Sequence, residues 1–304
     1  SKSMPYAKYQ DVQIHFEDSG GSGPPVLFLH EYAGDHRSWA GLGKALSAGW
    51  RCLFASARGY PPSDCPDSPE AYSQDAMTND ALAVLDAAGV DKAHIVGLSM
   101  GAFTALQLAQ FHPERVLSVT AAAGGSGSSE EQTAREGFVT EALGLAAMME
   151  KTMAIPAEAM CKGPTRVQLR CKDPAAWQMS VDHLASHPWQ PAAHMLRGVQ
   201  VGRPSLRDQE HTLRAVSVPV HLMVGDEDTS CLNVNIWLKQ IMACARLMVF
   251  PATGHALNPE EPDLFNNSLL NFLTLVDSGD WRPRDPGTMP AAGVHTALGL
   301  AEDN

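Results

Sequence analysis

Apolar positions along the chain fall into short runs separated by segments with helical spacing, an alternation that predicts an α/β protein. Tyr9 to Glu17 reads as an opening strand, followed by a Gly/Ser/Pro turn over residues 20–25. The runs Val26-Leu27-Phe28-Leu29, Arg51-Cys52-Leu53-Phe54-Ala55, Ala93-His94-Ile95-Val96 and Val116-Leu117-Ser118-Val119-Thr120 have the length and β-branched or aromatic content of strands. Between them, Gln74 to Ala88 carries Ala76, Leu82, Val84, Leu85 and Ala88 near helical spacing, and Ala102 to Ala109 is helix-like as well. Strands alternating with helices require a mostly parallel central sheet flanked by helices.

The rhythm breaks at Gly124-Gly125-Ser126-Gly127-Ser128-Ser129. Ser128 followed three residues later by Glu131 predicts a capping box for the next helix. From there to about Arg214 the spacing is helical only, cut into short pieces by prolines at 156, 164, 174, 188, 191 and 204. Strand character returns at Val216 to Val220, continues through His221-Leu222-Met223-Val224, and recurs at Leu247-Met248-Val249-Phe250. The expected organisation is a core built from residues 1–125 and 215–276, an all-helical segment over 126–214, and a turn-rich tail over 277–304 that wraps the surface or frays.

Composition narrows the function classes. With 44% hydrophobic and 18% charged residues the chain is globular, and its length is ordinary for one large α/β domain with an insertion. A formal net charge of −12 argues against nucleic acid or an anionic membrane as partner and favours solubility and neutral or cationic substrates. No apolar run approaches the length of a membrane-spanning helix. Ser1-Lys2-Ser3-Met4-Pro5 lacks a signal-peptide core, and Met4 reads as a native start. The six cysteines show no CxxC and no regular spacing, so the expectation is a reducing, cytoplasmic setting without disulfides. His183 and His187 are spaced i, i+4 but lack the glutamate of a His-Glu-x-x-His site, and read as surface or cap histidines; no metal is expected. No phosphate-cradling loop or dinucleotide fingerprint is present, so no cofactor is expected either. A homodimer is compatible with the sequence.

The candidate chemistry centres on Gly97-Leu98-Ser99-Met100-Gly101, lying directly between a predicted strand and a predicted helix. A strand that turns into a helix within two residues strains the turning residue, and flanking glycines remove the Cβ atoms that would collide there. The turn lifts the Ser99 hydroxyl off the sheet, while the helix N-terminus offers N–H groups to a developing negative charge. A serine hydroxyl needs a base, and the base an orienting acid. Downstream, Gly225-Asp226-Glu227-Asp228 and Pro251-Ala252-Thr253-Gly254-His255 both follow predicted strands, at the sheet edge where open α/β sheets bind ligands.

These motifs resemble the α/β-hydrolase superfamily, of the esterase, lactonase and cofactor-free peroxidase type, over roughly residues 10–275. The resemblance implies that Ser99 is the nucleophile and His255 the base, with Asp228 as the acid that ends a Gly-x-x-Asp turn, Asp226 its rival and Glu227 the least favoured. It implies a helical cap between strands 6 and 7. It also implies an oxyanion-hole donor after the strand Val26–Leu29, in His30-Glu31-Tyr32-Ala33-Gly34, where the N–H of Tyr32 would pair with that of Met100. Glu31 stands where the family has glycine; its side chain is expected to point away and bind local backbone or an arginine, with His30 anchoring the loop. Arg58, in a family-like Arg-Gly loop, is expected to be structural, with Glu31 or Asp64 as partners. Glu31, Leu98, Trp177 and Trp189 are candidates for the substrate pocket; the cap's methionines (148, 149, 153, 160, 179 and 195) and tryptophans could instead form its own core, and Leu98 and Phe103 could pack the elbow.

The resemblance implies hydrolysis of a small ester, lactone or thioester through an acyl-enzyme. A serine nucleophile disfavours haloalkane dehalogenases and epoxide hydrolases, which use aspartate there. The same triad on this fold also serves carbon–carbon bond hydrolysis, peracid formation, cofactor-free oxygen chemistry and small-molecule reception. A dead scaffold would have lost Ser99 or His255.

Overall fold

The computed structural model describes residues 6–290 and 294–300; the Met4 reading and the last residues of the tail fall outside them. Eight strands form one sheet: β1 Tyr6–Tyr9, β2 Val12–Asp18, β3 Pro25–Leu29, β4 Arg51–Ala55, β5 Ala93–Leu98, β6 Val116–Ala122, β7 Val220–Gly225 and β8 Ala245–Phe250. Their order is β1-β2-β4-β3-β5-β6-β7-β8. The β1–β2 and β2–β4 pairs are antiparallel and all others parallel.

The α-helices are α1 Gly43–Gly49, α2 Gln74–Ala87, α3 Met100–Phe111, α4 Gln132–Thr152, α5 Ala157–Met160, α6 Val167–Lys172, α7 Pro174–Ala185, α8 Trp189–Met195, α9 Glu210–Arg214, α10 Thr229–Ile241, α11 Leu257–Glu260, α12 Pro262–Asp277 and α13 Val294–Ala297. Every described helix from α4 to α9 lies between β6 and β7, with no described strand among them.

Strands β5 and β7 are buried at every position, because parallel strands covered on both faces have no solvent side. The pleat sends neighbours to opposite layers: Leu27 and Ile95 join the core under α2, α3 and α10, while Val26, Phe28 and Val96 join the one under α1 and α12. Burying a side chain of this size contributes about 1.5–3 kcal/mol. Among the described residues no helix is long and apolar enough to cross a membrane.

Three local expectations need correction. The opening strand is a hairpin, broken by Gln10 (φ 46°) and Asp11 (φ 64°) and registered Tyr9 against Val12. Two consecutive left-handed residues make the tight turn whose twist matches the strands, but without the glycine that usually announces it. The capping box does not form: α4 begins at Gln132, and Ser128 Oγ instead accepts the N–H of Leu206 at 2.8 Å. Arg58 is structural with a different partner. It donates to both Asp80 carboxylate oxygens (2.6 and 2.7 Å) and to the Ala71 carbonyl (2.7 Å), deeply buried between the β4 loop and α2. Asp64 accepts the Gln13 N–H instead.

Breaking a buried pair strands its other charge. Asp80→Ala is therefore expected to cost about 3–5 kcal/mol in urea unfolding; a loss below about 1 kcal/mol would show that Arg58 finds another partner.

Candidate active site

Ser99 stands between β5 and α3 at φ 55°, ψ −108°, outside the basins of ordinary L-residues. Its flanking glycines are sterically required. A Cβ on Gly97 would lie 2.1 Å from the Gly101 carbonyl oxygen, and one on Gly101 would lie 2.0 Å from that of Leu29. Hydrogen bonds from Ser99 N–H to the Ala122 carbonyl (2.7 Å) and from Phe103 N–H to the Ser99 carbonyl (3.1 Å) hold the turn. Met100 opens α3, so its N–H has no partner within the helix.

The β7 and β8 ends complete a hydrogen-bonded line. Ser99 Oγ lies 2.8 Å from His255 Nε2, and His255 Nδ1 lies 2.6 Å from Asp228 Oδ2. Asp228 is fully buried. Its rivals are exposed and occupied elsewhere: Asp226 accepts the Thr253 N–H at 3.0 Å, and Glu227 accepts from Gln168 at 2.9 Å. Burial works against a charged His255 imidazole, yet the charge and hydrogen bond of Asp228 prevail and raise its pKa above the ordinary 6.5.

The His255 loop is clamped from two sides. Below it, the buried Glu260 carboxylate accepts the Gly254 N–H at 3.1 Å and is flanked by Lys172 of α6. Above it, the helical insertion supplies the Thr165 carbonyl, which accepts the His255 N–H at 3.0 Å. Gly254 permits that approach, since a Cβ there would meet the Thr165 oxygen at 2.1 Å. Glu260, Lys172 and Thr165 escaped sequence reasoning because Glu260 serves a backbone N–H, while Lys172 and Thr165 meet groups about 90 residues away in the chain.

The loop after β3 is tied down as firmly. Ala57 N–H donates to His30 Nε2 (2.9 Å), so Nδ1 carries the proton and donates to the Glu31 carbonyl (2.7 Å). Burial lowers the His30 pKa to about 4, keeping the ring neutral. Tyr60 Oη donates to the Tyr32 carbonyl (2.7 Å), and Tyr32 Oη to the Ala192 carbonyl of α8 (2.8 Å). Asp35 accepts from Arg37 and from His187 Nε2 at 2.8 Å. Burial alone would raise the pKa of Asp35, but those bonds hold it well below the usual carboxylate range. His187 is thus a buried tie between insertion and core rather than a surface residue, a role that its spacing from His183 does not reveal.

The Glu31 carboxylate accepts from Ser38 Oγ at 2.5 Å; burial raises its pKa, opposed by Ser38 and by the charge of Arg166. It lines a groove of about 400 Å³ between the β3 loop, α6–α7 and α11. The other three pocket candidates lie outside this groove. Leu98 is buried in the layer with Phe28, Val96 and Met223, because the pleat turns it away from Ser99. Trp177 belongs to the insertion's own core, where its Nε1 donates to the Cys161 carbonyl at 2.7 Å and Arg170 stacks on it. Trp189 is half-buried at the start of α8, and the groove does not reach it. Met149 and Met195 are core, whereas Met148, Met153 and Met179 are exposed. Ile155 and Met160 are half-buried and pack against the two insertion clusters that also take up Ala33 and Tyr32 at their edges.

Two sets of donors among the described residues come close enough for a metal, His15–Glu17–His36 and Asp228–Cys231–His255. In the first, His36 Nδ1 is bonded to Ser56 Oγ at 2.7 Å; in the second, the ring nitrogens are those of the Ser99 line.

The family model for the α/β hydrolase fold matches residues 24–262. The 3-oxoadipate enol-lactonase 1 of Acinetobacter baylyi is 26% identical over 278 residues, covering 88% of this chain and 94% of its own. The 2-hydroxy-6-oxononadienedioate/2-hydroxy-6-oxononatrienedioate hydrolase 1 of Dechloromonas aromatica is 25% identical over 275 residues, covering 87% and 91%. Among solved structures, the enol-lactonase of Burkholderia xenovorans LB400 superposes with a TM-score of 0.73 at 25% identity, over 89% of this chain and all of that one.

Proposed function

From the premise that this chain belongs to the α/β hydrolase fold family, we propose that it cleaves small carboxylic esters or lactones through an acyl-enzyme on Ser99. A serine hydrolase of esters and lactones is consistent with its enol-lactonase relatives. The observation that carries the reading is the line Ser99–His255–Asp228, with both hydrogen bonds formed and the serine on a strained elbow.

His255 Nε2 takes the Ser99 proton as Oγ attacks the substrate carbonyl carbon. The N–H groups of Met100 and Tyr32 then hold the oxyanion. As the tetrahedral adduct collapses, His255 returns the proton to the departing alcohol oxygen. The imidazole next deprotonates a water that attacks the acyl carbon, and Ser99 is released. Asp228 keeps the Nδ1 proton in place and stabilises the imidazolium formed at each step. Six free cysteines, four of them buried, support a reducing compartment such as the cytoplasm.

A second reading, hydrolysis of a carbon–carbon bond beside a ketone, is favoured by the match to the 2-hydroxy-6-oxononadienedioate/2-hydroxy-6-oxononatrienedioate hydrolase. The same groups would serve it.

Rapid-mix kinetics with p-nitrophenyl butyrate test the main reading. A burst of nitrophenol approaching one equivalent per Ser99 is expected. Because His255 must be neutral to act as base and Asp228 raises its pKa, kcat/KM should fall on the acid side with a midpoint above 6.5. Turnover without a burst and without that acid limb would count against an acyl-enzyme dependent on His255.

A further inference from the structure

The groove of about 400 Å³ begins one residue from two parts of the proposed machinery, since Ala33 follows Tyr32, Ala256 follows His255, and both line it. Its polar groups divide into committed and uncommitted ones. Arg37 is held by Asp35, and Asp173 caps α7 by accepting the Ala176 N–H at 3.0 Å. Others keep capacity to spare, Glu31, Asn258 and Arg166 among them. Glu31 accepts from Ser38 through one carboxylate oxygen. Asn258 donates to the Ser38 carbonyl at 2.9 Å, while its Oδ1 is buried without a partner. No hydrogen bond or ion pair engages the Arg166 guanidinium among the described residues, although its charge is felt by Glu31.

An anion in this groove would meet the Glu31 carboxylate, and a cation would meet Arg166. A purely apolar group would leave all three polar groups facing it unsatisfied. A hydroxyl both donates and accepts, so adjacent hydroxyls can give to Glu31 and Asn258 while receiving from Arg166. We propose that this groove is a specificity subsite for a neutral, vicinal-diol portion of the substrate, bound by Glu31, Asn258 and Arg166. The inference rests on the acyl-enzyme reading and names the substrate class that reading leaves open. Its volume lies within the range of small-molecule sites.

Glycerol monobutyrate and n-propyl butyrate share an acyl group and differ by two hydroxyls. The wild type is expected to favour the glyceryl ester about tenfold or more in kcat/KM, because a site built to bond hydroxyls discriminates against the analogue lacking them. Arg166→Met and, separately, Glu31→Gln should each bring that ratio towards one. Equal rates on the two esters in the wild type would overturn the proposal, as would faster cleavage of butyrylcholine or monoethyl succinate than of the glyceryl ester. Fluorophosphonate labelling of the same preparation separates the two levels. A labelled protein with no glyceryl preference loses the subsite and keeps the acyl-enzyme; a protein that neither labels nor cleaves any ester loses both.

Discussion

Replacing Ser99 with alanine is expected to lower kcat/KM for an activated ester by about 10⁴-fold or more, to the residue of catalysis that oxyanion donors and binding alone provide. The size of the effect follows from how little else at the elbow could substitute for the hydroxyl. Its Oγ is held 2.8 Å from His255 Nε2 by a backbone at φ 55°, and an exchange to alanine leaves both the strain and the flanking glycine contacts untouched. The thermal unfolding midpoint should therefore stay within a few degrees of wild type while activity disappears. Steady-state assays beside a melting curve check both halves. A variant retaining a tenth of the activity would require a different nucleophile.

Asp228→Asn is expected to cost about 10⁴-fold in kcat. Asp228 is fully buried with Oδ2 at 2.6 Å from Nδ1, so an asparagine there would present an amide that favours the wrong imidazole tautomer and stabilises no imidazolium. Asp226→Asn tests the rival directly. That side chain is exposed and bonds the Thr253 N–H through an oxygen an asparagine also has, so a change within a few-fold is expected. If the two variants exchanged roles, the acid would have to be reassigned and the His255 loop would have to turn in the working enzyme.

Features set by local sterics were legible in the sequence. The elbow announces itself because only glycine fits at Gly97 and Gly101, and buried parallel strands read as apolar runs whatever packs on them. Features set by distant partners were not. Arg58 pairs with Asp80 on α2, and no spacing rule points from one to the other. Ser128 serves the Leu206 N–H, although its own sequence offers a capping box three residues on. His187 reaches Asp35 across the boundary between insertion and core, a contact that depends on how the insertion sits. For Trp177 the sequence left pocket and insertion core both open, and the indole that donates to the Cys161 carbonyl packs in the core. Glu31 was legible as a departure from the family's glycine, and only the structure shows the groove that it faces.

The central claim is that Ser99 is an activated nucleophile with a formed oxyanion hole. Intact-protein mass after incubation with a fluorophosphonate tests it most directly, wild type beside Ser99→Ala. The account predicts one phosphonyl adduct on the wild type and none on the variant. An unlabelled wild type, or a variant that labels equally, would contradict it.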